Sequence, residues 1–195
     1  MRLVLAVDTT QEYGSIALTR EGVLIEEVAI RSPSGFAHVL YGHLRELLDR
    51  HARLEEVDCF AAAAGPGSFT GVRVGLACVK GLAEAMGKPA AAVSNLQALA
   101  TFGTARLRAP VIDARRGEVY GAVYDDAGAL VIPEVVAKFD DWRGTLPPEA
   151  ELVGNDPPRA LAAAVARLAP AQARDPAALD ANYVRRPDAE LFWKE

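Results

Sequence analysis

The pattern of apolar and polar positions opens with three strands before any helix. Residues 3–7 form a continuous apolar run typical of a buried strand. Residues 15–19 and 23–30 predict two more strands, joined by a turn at Glu21-Gly22. Residues 36–48 then repeat apolar side chains at helical spacing, with charged residues on the opposite side. An opening of three strands departs from the simple alternation of a Rossmann fold.

The pattern then alternates between strands and helices and completes a first lobe. The expected strand, helix, strand and short helix lie at 59–64, 72–86, 89–93 and 96–102. Ser94 or Asn95 is placed to cap the short helix. We therefore predict a first lobe at residues 1–105 with the order βββαβαβα.

Residues 106–195 predict a second, shorter lobe, with 106–110 as the crossing point between the two. The expected strands lie at 111–113, 118–124, 130–136 and 151–154, and an alanine-rich helix is expected at 157–168, started by Asp156. Residues 183–193 are interpreted either as a docked segment or as a frayed end.

Composition narrows the class of protein. The chain has 195 residues, is 51% hydrophobic and carries a net charge of -5, so its own surface is poorly suited to hold a nucleic-acid backbone. Its two cysteines, Cys59 and Cys78, fall in predicted core positions. No apolar run is long enough to span a bilayer or to form a secretory leader. We expect a cytoplasmic location and no contact with a membrane.

The sequence Gly65-Pro66-Gly67-Ser68-Phe69-Thr70-Gly71 joins a predicted strand to a predicted helix. Glycine and proline allow a tight turn here, and Ser68 or Thr70 can cap the helix. The spacing matches neither a Walker loop nor the dinucleotide fingerprint. Two interpretations remain, a turn that packs the helix closely on the strand or a site for an anion at the helix start.

The helix predicted at 72–86 has two stripes that favour burial. One stripe is apolar and suits packing on the sheet, and the other consists of small residues, Gly71, Gly75 and Cys78. The small stripe allows another helix to approach closely, which indicates either a subunit surface or packing within the chain.

These landmarks together resemble one family, the TsaB (YeaZ) proteins of bacterial tRNA threonylcarbamoyladenosine synthesis. The resemblance rests on six motifs in the family's order, at residues 5–10, 65–76, 80–83, 93–100, 113–120 and 183–185. The long string at 65–76 is the most specific of them. The resemblance implies an α/β fold of the actin-like (ASKHA, ribonuclease H-like) type with two lobes and a shortened C-terminal lobe.

The resemblance also implies a function and partners. It implies that this chain is a non-catalytic scaffold that dimerises with a larger relative, TsaD. TsaD transfers threonylcarbamoyl from its adenylate to N6 of adenosine 37 in tRNA. A small ATPase, TsaE, joins them, and tRNA is reached through the complex. The chain alone is expected to hold no cofactor, while ATP or ADP and a divalent metal are expected in the partner or at the interface. A second copy of the chain is the other expected partner.

The resemblance assigns three groups of candidate residues and no catalytic or metal-binding residue. The first two helices would supply the partner interface through Phe36, Leu40, Leu44, Gly71, Val72, Gly75, Leu76, Cys78 and Val79. Candidate anion or nucleotide contacts are Asp8, Thr9, Thr10, Ser68, Thr70 and Arg73. Candidate docking or RNA contacts, which otherwise form a solvated turn, are Arg115, Arg116, Glu118 and Arg185.

Two other classes of protein stay open. A stand-alone ATP-hydrolysing enzyme of the actin-like fold would use Asp8 near its metal and phosphates. A metallopeptidase would need His38 or His43 as ligands, but these histidines are five residues apart and point about 140° away from each other around a helix. The larger catalytic relative carries its two histidines four residues apart, and this departure weakens the peptidase hypothesis.

Overall fold

The computed structural model describes residues 2–185, which form two β-sheets and five α-helices. The strands are β1 (Leu3–Asp8), β2 (Tyr13–Arg20), β3 (Val23–Arg31), β4 (Cys59–Ala63), β5 (Ala90–Val93), β6 (Leu107–Arg115), β7 (Glu118–Asp125), β8 (Leu130–Lys138) and β9 (Glu151–Gly154). The helices are α1 (Leu40–His51), α2 (Phe69–Met86), α3 (Asn95–Ala100), α4 (Phe139–Arg143) and α5 (Ala162–Leu168). The predicted order of the first eight elements, βββαβαβα, is confirmed.

The first sheet contains five strands in the order β3-β2-β1-β4-β5. β1 pairs antiparallel with β2 and parallel with β4, where Leu5 lies opposite Phe60. Every residue of β1 and β4 is buried, which agrees with their continuous apolar sequences. The central strands therefore end together at one edge, beside the loop that begins α2.

Helices cover both faces of this sheet. Leu5 and Val7 of β1 belong to the apolar cluster that contains the buried residues of α1 and α2. Val4 and Ala6, on the opposite face, belong to the cluster that contains α3 and α5. Because successive side chains of a strand alternate between its faces, one short strand contributes to both cores.

The second sheet contains four strands in the order β8-β7-β6-β9. The predicted α/β fold is confirmed, and its strands form two sheets, of which the second is the smaller. Most of residues 106–110, predicted as the crossing point, lies within a strand of the second sheet, because β6 begins at Leu107 and residues 108–110 pair with β9. The alternation of polar and apolar residues in β6 is that of a half-buried strand.

The chain returns to the first sheet after β9. α5 packs on β1 and β2, and the backbone N–H of Ala162 donates to Ser15 Oγ while that of Ala163 donates to Glu27 Oε1. The helix predicted at 157–168 is therefore too long, because α5 begins only at Ala162. The first N–H groups of α5 are capped by side chains of β2 and β3 and not by Asp156. The lobe boundary at residue 105 stays a prediction.

The C-terminal segment, described as far as residue 185, is docked on the first sheet, on α2 and on the second sheet. Leu179 is buried and Asn182 N donates to Ala64 O over 2.8 Å. The predicted tail residues 186–193 lie outside the described part of the chain. No helix among the described residues is long and apolar enough to cross a membrane.

Candidate functional site

A buried polar cluster lies where β1 ends, under the glycine-rich loop. Asp8 Oδ1 accepts hydrogen bonds from the backbone N–H and the hydroxyl of Thr10, at 2.9 and 2.7 Å. Burial raises the pKa of the Asp8 carboxyl, and the two hydrogen bonds from Thr10 act in the opposite direction. Asp8 is only 2% exposed, so its carboxyl group interacts with groups of the chain and not with solvent.

Asn95 connects this cluster to the glycine-rich loop. Its side-chain amide donates to Thr10 Oγ1 over 2.5 Å, and its Oδ1 accepts from the N–H of Gly65 over 3.0 Å. Its backbone N–H donates to the Gly65 carbonyl over 2.8 Å. Sequence reasoning considered Asn95 only as a helix cap, but Ser94 has that role in α3. The sequence feature that could have indicated this role is the second polar residue, Asn95, directly after Ser94.

Glycines in the loop and in α2 allow the backbone after β1 to come close. A Cβ at Gly67 would lie 2.6 Å from the Thr10 carbonyl oxygen, and one at Gly71 would lie 2.1 Å from that of Thr9. At Gly75 it would lie 2.6 Å from Thr9 Oγ1. No side chain fits at these distances. The structure therefore favours the interpretation of the loop as a turn that packs the helix closely on the strand.

The six candidate anion contacts are divided between the interior and the surface. Asp8, Thr9 and Thr10 are buried, and Thr9 Oγ1 donates to the Gly71 carbonyl over 2.7 Å. The other three candidates lie at the surface, where Ser68 Oγ caps α2, Thr70 is exposed and Arg73 packs on Phe69. The two halves meet at Ser68, whose backbone N–H donates to the Thr10 carbonyl over 2.7 Å. A role of the six residues in anion binding stays a prediction.

The predicted partner residues lie mostly in the interior of the chain. Of the nine, all but Gly71 are buried within the chain, so they are already covered without a partner. Gly71 and Gly75 face Thr9, and Cys78 is buried, which raises the pKa of its thiol to about 11. Their burial agrees with the apolar repeat, which marks the inward face of each helix. A role of these nine residues in contacting a partner stays a prediction. The use of the two helices as an interface stays a prediction.

The outward faces of α1 and α2 expose a different set of residues. Tyr41 on α1 is 60% exposed, and Ala77 on α2 is exposed. Gly42 on α1 and Gly81 on α2 are also exposed, and a Cβ at either would meet nothing within 4 Å. Neither glycine is required by packing within the described chain, although each costs up to about 1 kcal/mol of helix stability relative to alanine.

The four candidate docking or RNA contacts lie on or beside the β6–β7 hairpin. Arg115 and Arg116 form its tip with φ of 67° and 57°, and Arg115 lies 3.8 Å from Asp113. Glu118 forms an ion pair with Arg185. The hairpin thus gathers the four residues, and Arg115 and Arg185 each lie beside a carboxylate.

A cleft of about 660 Å³ separates this hairpin from the glycine-rich loop. Its lining includes Ser68 on one side and Asp113, Tyr120 and Asp156 on the other. Within residues 2–185, no group of three or more histidine, cysteine or carboxylate side chains is placed to hold a metal ion.

Comparisons with known proteins identify the class. The family model described as "TsaD: tRNA N6-adenosine threonylcarbamoyltransferase" matches residues 37–164. The structure of YeaZ from Pseudomonas aeruginosa superimposes with a TM-score of 0.65 and 38% identity, over 71% of this chain and 68% of that one. Together with the two sheets, these matches define a protein of the actin-like ATPase type of fold.

Further matches identify the family within that class. TsaB of Bacillus subtilis is 34% identical over 145 residues, which cover 71% of this chain and 63% of that protein. A structure described as an uncharacterized protein with similarity to peptidase YeaZ from Pseudomonas aeruginosa has a TM-score of 0.78 and 30% identity, over 95% of this chain and all of that one. The chain belongs to the TsaB/YeaZ family. It spans less than two thirds of the length of the Bacillus relative.

Proposed function

We propose that this protein is a non-catalytic subunit in the synthesis of threonylcarbamoyladenosine in tRNA and that it activates a TsaD-like transferase by binding it. The Bacillus subtilis and Escherichia coli relatives are both named tRNA threonylcarbamoyladenosine biosynthesis protein TsaB. The family model that matches residues 37–164 is that of the transferase itself. A chain related to both suits a paired subunit.

The observation that carries the non-catalytic role is the burial of Asp8. In nucleotide-using members of the fold, the corresponding carboxylate would act near a metal and phosphates. Here it is 2% exposed and accepts two hydrogen bonds from Thr10. A carboxylate that is both covered and bonded to its own chain is poorly suited to hold a magnesium ion, which keeps several waters and octahedral geometry.

The outward faces of α1 and α2 support binding to a second subunit. Gly42 and Gly81 let another helix come close, and Ala77 lies one turn before Gly81 on the same face. ATP or ADP and a divalent metal belong, in this proposal, to the TsaD-like subunit or to its interface with this chain. A TsaE-like ATPase and tRNA join through the complex.

Reconstitution tests the proposal. A TsaD-like subunit and a TsaE-like ATPase from the same organism, threonylcarbamoyl-adenylate and unmodified tRNA are combined with and without the chain, and modified adenosine is measured. We expect modification to depend on the chain and on its binding to the TsaD-like subunit. ATP turnover by the chain alone is measured in parallel, and we expect none.

Two variants make the test specific. Ala77→Glu places a charge on the exposed face of α2 and is expected to weaken binding to the TsaD-like subunit about tenfold or more. Ala127→Glu, in the exposed turn between β7 and β8, is the matched control and should bind normally. Modification that proceeds equally without the chain would refute the proposal. ATP turnover lost in Asp8→Ala would favour the stand-alone enzyme.

A further inference from the structure

Three side chains at the beginning of α2 form an exposed group, the Arg73 cluster, which consists of Phe69, Arg73 and Tyr183. The guanidinium carbon of Arg73 lies 3.6 Å from the centre of the Phe69 ring, and its Nε donates to the Tyr183 hydroxyl over 3.0 Å. The two rings are stacked with centroids 5.6 Å apart. They remain 45% and 41% exposed, so two aromatic rings and a cation meet solvent as one unit.

Contacts on both sides of Tyr183 hold the cluster in place. The side-chain amide of Asn182 donates to Glu134 Oε2 over 2.6 Å. On the other side, Arg185 forms an ion pair with Glu118. Tyr183 is therefore fixed between residues that are bonded to the second sheet. A side chain ordered in advance loses less conformational entropy when a partner binds.

The chemistry of the cluster suits a protein with an acidic side chain. Tyrosine, tryptophan and arginine are the side chains that dominate binding energy at protein interfaces. Within residues 2–185 the side-chain contacts of Arg73 are to Phe69 and Tyr183, and neither is an ion pair, so its charge can pair with a carboxylate. The nearby cleft is lined by three carboxylates, Glu12, Asp113 and Asp156, and by one arginine, Arg115. This excess of negative charge disfavours the phosphates of RNA.

The cluster is continuous with the outward face of α2. Phe69, Arg73, Ala77 and Gly81 follow each other at intervals of four residues and are all exposed, so they form one ridge along the helix. A single partner helix or loop that covers Ala77 and Gly81 would reach the cluster at the end of the ridge.

The geometry points to the Arg73 cluster as the anchor through which this chain binds an acidic side chain of the TsaD-like subunit. This inference rests on the proposed function and adds to it the residues at one end of the interface. It also assigns a role to the C-terminal segment, because Tyr183 completes the cluster only while Asn182 and Arg185 stay bound to the second sheet.

Affinity measurements on the full chain test the inference. Isothermal titration of the TsaD-like subunit with Phe69→Ala, Arg73→Glu and Tyr183→Ala is expected to give dissociation constants about tenfold or more above that of the wild type. Phe102→Ala is the matched control, because Phe102 is 38% exposed and has the Arg159 guanidinium 5.0 Å from its ring. We expect it to bind like the wild type.

Thermal melting and two further binding measurements separate the outcomes. Each variant should melt within a few degrees of the wild type, because the side chain that it changes is exposed. If a variant melts at a clearly lower temperature, its affinity is not interpreted and Tyr183→Phe is titrated in its place. We expect Tyr183→Phe to show a smaller but measurable loss of affinity. Wild-type affinity in all three cluster variants would overturn the inference and leave the proposed function intact. Cluster variants that lose only self-association, or only binding to unmodified tRNA, would also overturn it. Failure of the wild type to bind the TsaD-like subunit would refute both.

Discussion

The two faces of α2 use small residues in opposite ways. On the inward face, Gly71 and Gly75 have no room for a Cβ, because Thr9 lies against them. On the outward face, Ala77 and Gly81 are exposed, and a Cβ at Gly81 would meet nothing within 4 Å. One set of small residues is therefore needed for the fold of the chain, and the other is left unused by it.

This contrast shows why a stripe of small residues does not by itself identify an interface. Close approach of two backbones requires small side chains wherever it happens, inside a chain or between chains. What separates the two cases is the nearest neighbour, Thr9 on one face and open space on the other. The outward set can serve a partner without any cost to packing within the chain.

A charge on adjacent residues of α2 provides the sharpest test of this contrast. Leu76 is buried and Ala77 is exposed. We expect Leu76→Glu to lower the free energy of unfolding by about 4 kcal/mol or more, since it removes a buried side chain and buries a charge. Ala77→Glu should change it by no more than about 0.5 kcal/mol. Urea denaturation followed by circular dichroism measures both. Equal losses would mean that the two faces do not differ in burial.

Adding a single methyl group to each face is the next largest test. Gly71→Ala is expected to lower the free energy of unfolding by about 2–3 kcal/mol, because its Cβ would lie 2.1 Å from the Thr9 carbonyl oxygen and the backbone must move. Gly81→Ala is the matched control and is expected to raise it by roughly 0.5–1 kcal/mol through helix propensity. The same denaturation experiment applies. A stabilising Gly71→Ala would contradict the close packing of the loop.

The sequence was sufficient for the order of the strands and helices but not for which residues meet solvent. Continuous apolar runs such as 3–7 and the repeat at 36–48 depend only on local periodicity, and both predicted elements are present. The apolar residues of the predicted interface follow the same periodicity, which marks the buried stripe of a helix. Exposure of the opposite stripe to a partner depends on what the rest of the chain leaves uncovered.

Long-range polar contacts could not be predicted for a similar reason. Asn95 bonds to Thr10, which is 85 residues away, and Asn182 bonds to Glu134, which is 48 residues away. Neither pair has a spacing that a sequence pattern can reveal, because each contact forms only when distant segments of the chain are brought together by the fold. The capped start of α2 at Ser68 is local, and it was predicted as one of two options.

The pH dependence of stability gives the smallest effect and compares the buried cluster with the surface. Burial raises the pKa of Asp8 above 3.8, so ionisation of this carboxyl destabilises the folded state. The free energy of unfolding is therefore lowered as the pH rises from 3.8 through the pKa that Asp8 has in the folded state. Asp8→Asn keeps an oxygen to accept from Thr10 and removes the ionisation. We therefore expect its stability relative to the wild type to increase as the pH rises, in urea denaturation between about pH 3 and pH 8.

Glu26 provides the matched surface control with the opposite sign. Hydrogen bonds from Arg50, and to a smaller extent from His51, lower the pKa of the Glu26 carboxyl below 4.5. The ionised Glu26 therefore stabilises the fold above pH 4.5, and this contribution is lost as the pH falls through the pKa of the folded state. The stability of Glu26→Gln relative to the wild type should therefore decrease as the pH rises through the same window. Parallel slopes for the two variants would contradict the burial of the Asp8 carboxylate, and with it the observation on which the non-catalytic role depends.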